Sequence, residues 1–118
     1  CKCEEFVTSP LGLVAEYSVK GQLLGHLVLG AEAVSRAAAA LGTPEEKSVL
    51  LQHMILSHHG EPEFGAAVRP MCIEAELLSY LDLIDSRMEI YTENLENTPA
   101  GTFSGKIYAI DKKIYNHG

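Results

Sequence analysis

Positive charge is scarce in this chain. Nine lysines and arginines stand against 16 aspartates and glutamates, a net charge of −7 with a pI near 5.1. That is the wrong sign for a domain that binds nucleic acid unaided, because phosphates are repelled unless a metal or a local basic patch intervenes. Cysteine is sparse too. Cys1, Cys3 and Cys72 are an odd number, form no paired framework, and Cys1-x-Cys3 is not the spacing of a zinc knuckle. Reduced thiols and a cytoplasmic location are expected on that ground, with Cys72 a small buried residue at a helix start. No apolar run reads as long enough to span a membrane and none reads as a signal peptide, so no membrane partner is expected. Internal repeats are lacking, and the run Ala37–Ala40 is simply good helix former.

What is present suits one globular domain: 118 residues, 47% hydrophobic and 21% charged, enough for an adequate but not generous core. Residues 1–17 form an irregular lead-in with a turn at Ser9-Pro10-Leu11-Gly12 and a short extended or helical piece at Leu13-Val14-Ala15. Residues 18–96 form a helical core, and 97–118 a tail. The fold class is therefore all-α, about three main helices with a short extended C-terminal segment.

The first helix spans about Ser18 to Leu41, with Leu23, Leu27, Ala31, Val34, Ala38 and Leu41 on one broad apolar face. Ser18 is its expected N-cap and Gly42 its stop. Gly21, Gly25 and Gly30 each weaken it by roughly 1 kcal/mol relative to alanine, so close packing or a kink is expected there. His26 by itself reads as a core histidine bonded to a neighbour. Thr43-Pro44-Glu45-Glu46 reads as a capping box: Thr43 the cap, Pro44 the first helical residue, Glu46 closing the box. The second helix then runs through Val49, Leu50, Met54 and Ile55 to His58 and His59. His53, about 140° round the helix from His58, need not share a site with it.

Adjacent residues on a regular helix point about 100° apart, so His58 and His59 cannot both face one point from within it. At a C-terminus opening into Gly60 they can. Paired imidazoles with carboxylates nearby are what a zinc, manganese or iron ion asks for. A loop from Glu61 to Pro70 follows, broken by Pro62, Gly65 and Pro70 and carrying Arg69. The third helix, about Met71 to Leu95, has an apolar stripe of Ile73, Leu77, Leu81, Ile84, Met88 and Tyr91 that reads as a core seam. Asp82, between Leu81 and Leu83, needs a partner. In the tail, Lys106, Lys112 and Lys113 read as a solvated face rather than an RNA contact.

The wording around these residues is more specific than their spacing. Gly21-Gln22-Leu23-Leu24-Gly25-His26, Leu51-Gln52-His53-Met54-Ile55-Leu56-Ser57-His58-His59-Gly60-Glu61 and Tyr80-Leu81-Asp82-Leu83-Ile84-Asp85-Ser86-Arg87-Met88 resemble the C-terminal part of the HD domain of the YhaM-type 3′–5′ exoribonucleases. The resemblance runs from about residue 4 to the C-terminus and implies a partial HD-type helical bundle over 1–118. It implies metal-dependent phosphodiester hydrolysis of RNA, with His26, His58, His59 and Asp82 as metal ligands, Asp85 as a supporting carboxylate, and manganese as the first choice of ion before iron or zinc. Arg69 and Lys106 are the weak candidates for phosphate contact.

One departure bears on activity. The chain has no His-Asp dipeptide and no histidine before His26, so the aspartate that bridges the family's metals is missing. The OB-type nucleic-acid-binding region that precedes the HD domain in these nucleases is missing too, and the chain begins at Cys1 rather than a methionine, which hints at sequence upstream. The expectation is hydrolysis that is weak or absent for the chain alone, RNA as a partner only if the missing regions are supplied, and apolar helix faces that drive homodimerisation or other self-association. The rival reading is a non-catalytic helical dimerisation or partner-binding module derived from an HD domain. A cyclic-dinucleotide phosphodiesterase of the HD-GYP kind ranks third, because Glu61-Pro62-Glu63-Phe64-Gly65 stands where that family carries Asp-Gly and Gly-Tyr-Pro.

Overall fold

The computed structural model describes residues 2–11 and 13–118, apart from the side chains of residues 2 and 3. Gly12 of the expected turn, and the Cys1 and Cys3 thiols, lie outside the described residues. The chain is mostly helical, as expected: α1 (Lys2–Glu5), β1 (Phe6–Thr8), β2 (Val14–Tyr17), α2 (Val19–Ala40), α3 (Glu45–Ser57) and α4 (Ile73–Glu96), with single 3₁₀ turns at Pro62–Phe64 and Tyr108–Ile110. It divides into two compact units, Cys1–Ser79 and Tyr80–Gly118, with the division inside α4.

In the first unit the lead-in is more regular than its sequence suggests. β1 and β2 form an antiparallel hairpin pairing Phe6 with Tyr17 and Val7 with Glu16, with an irregularity between Val7 and Thr8. The Phe6 and Tyr17 rings stack at 4.9 Å, a cross-strand aromatic pair. Alternation over three or four residues is too short to announce this.

Ser18 caps α2 as expected, its Oγ accepting from the Gly21 amide at 2.9 Å while donating to the Glu4 carbonyl. The Ser18 amide donates to the Glu5 carbonyl at 2.8 Å, so one residue both starts α2 and ties the lead-in to it. Gly21 lets this happen: a Cβ there would lie 2.0 Å from the Glu5 carbonyl oxygen. Gly25 has φ +70 and ψ 163 and breaks α2 into two helical pieces. The glycines thus provide both the close approach and the kink. The kink also corrects the single apolar face expected for this helix. Leu23, before it, is exposed, whereas Leu29, Ala31 and Ala38 beyond it are buried; Leu41, outside the last turn, is exposed.

α2 is also long and apolar enough, by length and composition, to cross a membrane, which corrects the expectation that no such run exists. Its kink and its packing against α3 are equally those of a helix in a globular core.

The link between α2 and α3 departs from the expected capping box. Pro44, not Thr43, is the cap of α3, with φ −53 and ψ 139 and no side-chain cap bond. The Thr43 amide is taken by the end of α2: it donates to the Ala38 carbonyl at 2.9 Å while Gly42, at φ +64, donates to Ala39. This is a Schellman closure. With only four residues between the helices, Thr43 completes the first helix and is not free to begin the second. Ser48 donates to the Pro44 carbonyl as the first bond of α3.

Small side chains fill the core of this unit: Leu29, Ala31, Ala38, Ala66 and Ala75. Cys72 is a free thiol, half-buried rather than buried, beside Lys47, Leu50, Leu51 and Met54 in a cleft of about 270 Å³. In the second unit, the part of the α4 stripe expected as a core seam is open instead, with Leu81, Ile84 and Met88 each 53–57 % exposed; in the first unit α2 packs on α3.

In the second unit the tail folds back on the end of α4. Asn116 donates through Nδ2 to the Thr98 carbonyl at 2.7 Å and the Leu95 carbonyl at 3.4 Å. Phe103 bridges to Tyr115 and Ile107 to Lys112, Lys112 lies over the Tyr91 ring, and Ile114 is buried.

The contact at Gly21 makes a stability prediction. Gly21→Ala forces a methyl into the Glu5 backbone and should lower stability by about 1–3 kcal/mol. Gly105→Ala, at a site with open space, should change it by less than about 0.5 kcal/mol. Urea denaturation of both variants checks the difference.

Candidate metal centre

A helix that ends leaves its last four carbonyls without intrahelical donors, and at the end of α3 those of Ile55, Leu56 and Ser57 find partners beyond the helix. The Ser57 hydroxyl, fully buried, donates to the His53 carbonyl at 2.7 Å. The Gly60 amide returns to Ser57 at 2.8 Å and the Ala67 amide reaches Leu56 at 3.0 Å. The Ile55 carbonyl is left for the His58 side chain, 2.7 Å from Nδ1. Because a carbonyl can only accept, His58 carries its proton on Nδ1, and the neutral ring keeps its lone pair on Nε2.

Gly60, at φ +76, turns the chain directly after the pair, as the sequence requires. The His58 and His59 rings come within 4.1 Å of each other, centroid to centroid. His26 arrives from α2, placed just past the Gly25 break, with its ring 5.8 Å from His58 and 5.2 Å from His59. Its Nε2 lies 3.0 Å from His59 Nε2. One ring nitrogen from each of the three histidines falls within 4.8 Å of the others, all three half-buried. Gly65, closing the Pro62–Phe64 turn at φ +102, packs on the His59 ring, where a Cβ would be 3.9 Å from Cδ2.

The fourth participant was not foreseen. Glu5 is 6 % exposed, and its Oε1 lies 3.3 Å from His26 Nδ1. Nothing in its neighbourhood in the sequence marks it, since its partner is 21 residues away.

Three imidazoles converging on one point fit a divalent ion of the zinc, manganese or iron type. The chemistry of the donors supports that fit: the His58 lone pair is directed by a fixed acceptor on the opposite nitrogen, the arrangement by which proteins orient metal-binding histidines.

Four further candidates come from the sequence. Asp82 and Asp85 are on α4 in the second unit, Asp82 half-buried and partnered, Asp85 exposed. Arg69 is held by Glu61, Nε to Oε2 at 2.7 Å. Lys106 pairs with Asp111 at 2.5 Å. Both pairs are open to solvent and weak, about 0–1 kcal/mol each. His53 stays outside the cluster and accepts the Met71 amide at Nε2, 2.9 Å away, holding the far end of the loop to α3.

Comparison with known proteins agrees with the resemblance read from the sequence. Over 101 residues the chain is 42% identical to the 3′–5′ exoribonuclease YhaM of Geobacillus sp. (strain WCH70), covering 86% of this chain and 31% of that protein. Over 99 residues it is 37% identical to the YhaM exoribonucleases of Bacillus licheniformis and Bacillus subtilis (strain 168), covering 84% of this chain and 32% of each. The chain therefore spans about a third of the length of the curated relatives it matches. No family model matches it, and no solved structure does.

The bond to Ile55 is directly measurable. In metal-free protein at alkaline pH, long-range ¹H–¹⁵N correlation should show His58 as the Nδ1–H tautomer; an Nε2–H tautomer would contradict the geometry at the end of α3.

Proposed function

Because the chain matches one segment of the 3′–5′ exoribonuclease YhaM proteins, we propose that it contributes metal-binding histidines to an HD-type, metal-dependent phosphohydrolase acting on RNA. The observation that carries this reading is the convergence of His26, His58 and His59 within 4.8 Å. Manganese is the first candidate by resemblance to the family, with iron and zinc also suited to an imidazole set. When bound, such an ion supplies a Lewis acid that acidifies water and offsets the charge of a phosphodiester. The residues supply the rest: His58 is oriented by Ile55, His26 is brought in past the Gly25 break, and His59 is held against Gly65.

A cation here also answers the charge problem. A chain of net charge −7 repels phosphate, and an ion held by neutral imidazoles places positive charge at the one point where phosphate must be met. Without the family's His-Asp pair, hydrolysis of RNA by these 118 residues alone should be slow or absent, even with metal present. The setting proposed for such chemistry is the cytoplasm, with RNA as substrate.

The open stripe of Leu81, Ile84 and Met88 supports a second proposal, self-association through α4. Exposed apolar surface of this kind marks an association site. This is also what the rival reading, a non-catalytic interaction module, requires.

Calorimetric titration with Mn²⁺, Fe²⁺ and Zn²⁺ tests the first reading. The chain should bind at least one of these ions. His58→Ala with His59→Ala should weaken binding by at least about 100-fold, the upper end of what losing a mere supporting contact costs; unchanged binding refutes the assignment. For the second, sedimentation should show a dimer at roughly tens of micromolar, converted to monomer by Leu81→Glu with Ile84→Glu. A compact wild-type monomer at that concentration would sink it.

A further inference from the structure

Glu5 has the features of a group kept for a purpose. A carboxylate only 6 % exposed carries a desolvation cost that must be offset by partners. The partner shown for it is His26, Nδ1 to Oε1 at 3.3 Å. The main chain around Glu5 is held from several sides. Its carbonyl accepts the Ser18 amide, the preceding carbonyl accepts the Ser18 hydroxyl, and Gly21 has no side chain to keep α2 away. These contacts locate the carboxylate beside the one histidine of the cluster that does not come from the end of α3.

The consequence follows from proton bookkeeping. An ionised carboxylate only accepts, so the His26 proton sits on Nδ1 and its lone pair on Nε2. That nitrogen is the one lying 3.0 Å from His59 Nε2, inside the cluster. In the metal-free protein the hydrogen bonds then run in one direction: His59 Nε2–H donates to His26 Nε2, and His26 Nδ1–H donates to Glu5. His26 and His58 are thus prepared in the same way, with Nδ1 committed outward and the lone pair on Nε2. His58 uses a carbonyl of its own helix, whereas His26, at the start of a helical piece, must borrow an acceptor from the lead-in.

We propose that Glu5 is a positioning residue for the metal centre, holding His26 in the Nδ1–H tautomer with Nε2 turned toward the ion and making that nitrogen a stronger donor. This rests on the reading of the three histidines as a metal site. It explains why the lead-in is bolted to α2 through Ser18 and Gly21 when it contributes little to the core.

Two readouts on the full chain separate the possibilities. In metal-free protein at alkaline pH, ¹H–¹⁵N correlation should show His26 as Nδ1–H in the wild type, shifting toward the Nε2–H form preferred by free imidazole in Glu5→Ala. In calorimetry with Mn²⁺ and Zn²⁺, Glu5→Ala should bind about 10- to 100-fold more weakly. Glu5→Gln, which keeps an acceptor oxygen but no charge, should lie between. If Glu5→Ala does not fold, as judged by circular dichroism, the isosteric Glu5→Gln decides by the same measure. Wild-type binding matched by both variants, with the His26 tautomer unchanged, overturns the role of Glu5 and leaves the metal site standing. Failure of the wild type to bind either ion or Fe²⁺ overturns the metal site and the purpose assigned to Glu5 together.

Discussion

The end of α3 is the constraint on which the centre depends. A helix stopping inside a folded unit leaves carbonyls that must find donors, and here they recruit the Gly60 and Ala67 amides and the His58 ring. Satisfying the backbone and orienting the imidazole are one event. The same closure sets Gly60 at a positive φ, directly after two rings whose centroids lie 4.1 Å apart.

A second break, at Gly25, does for His26 what the end of α3 does for the pair. Uninterrupted, α2 would carry His26 on a face determined by its 3.6-residue period. The left-handed residue before it resets that phase, so the ring meets His59 while Leu29, Ala31 and Ala38 turn to the core. A glycine that costs the helix stability therefore positions a donor, an instance of local strain concentrated where function is expected.

Much of this was legible in the residues. The three main helices, the Ser18 cap, the stops at Gly42 and Gly60, and the roles of Gly21 and Gly25 followed from propensity and periodicity, which are local properties. So did the suspicion attached to His58-His59, and the wording of three short segments identified the relatives. The misreadings have physical causes. Thr43 reads as a cap in isolation, but a short link forces it to serve the preceding helix. The α4 stripe has the period of a core seam, yet period reports which face is apolar and not whether anything covers it. Leu23 belongs to the same apolar series as Ala31 only if the helix between them is continuous.

Taken alone, the sequence determined that three main helices form, where most of their ends fall, and which family the chain resembles. It did so because capping, glycine freedom and helical period act over a few residues. The structure alone decided that Glu5 stands behind His26 and that Ile55 stands behind His58. It also brought one ring nitrogen from each of the three histidines within 4.8 Å of the others. A tautomer is chosen by whatever lies against the opposite nitrogen, and for His26 that neighbour is brought 21 positions along the chain by tertiary packing.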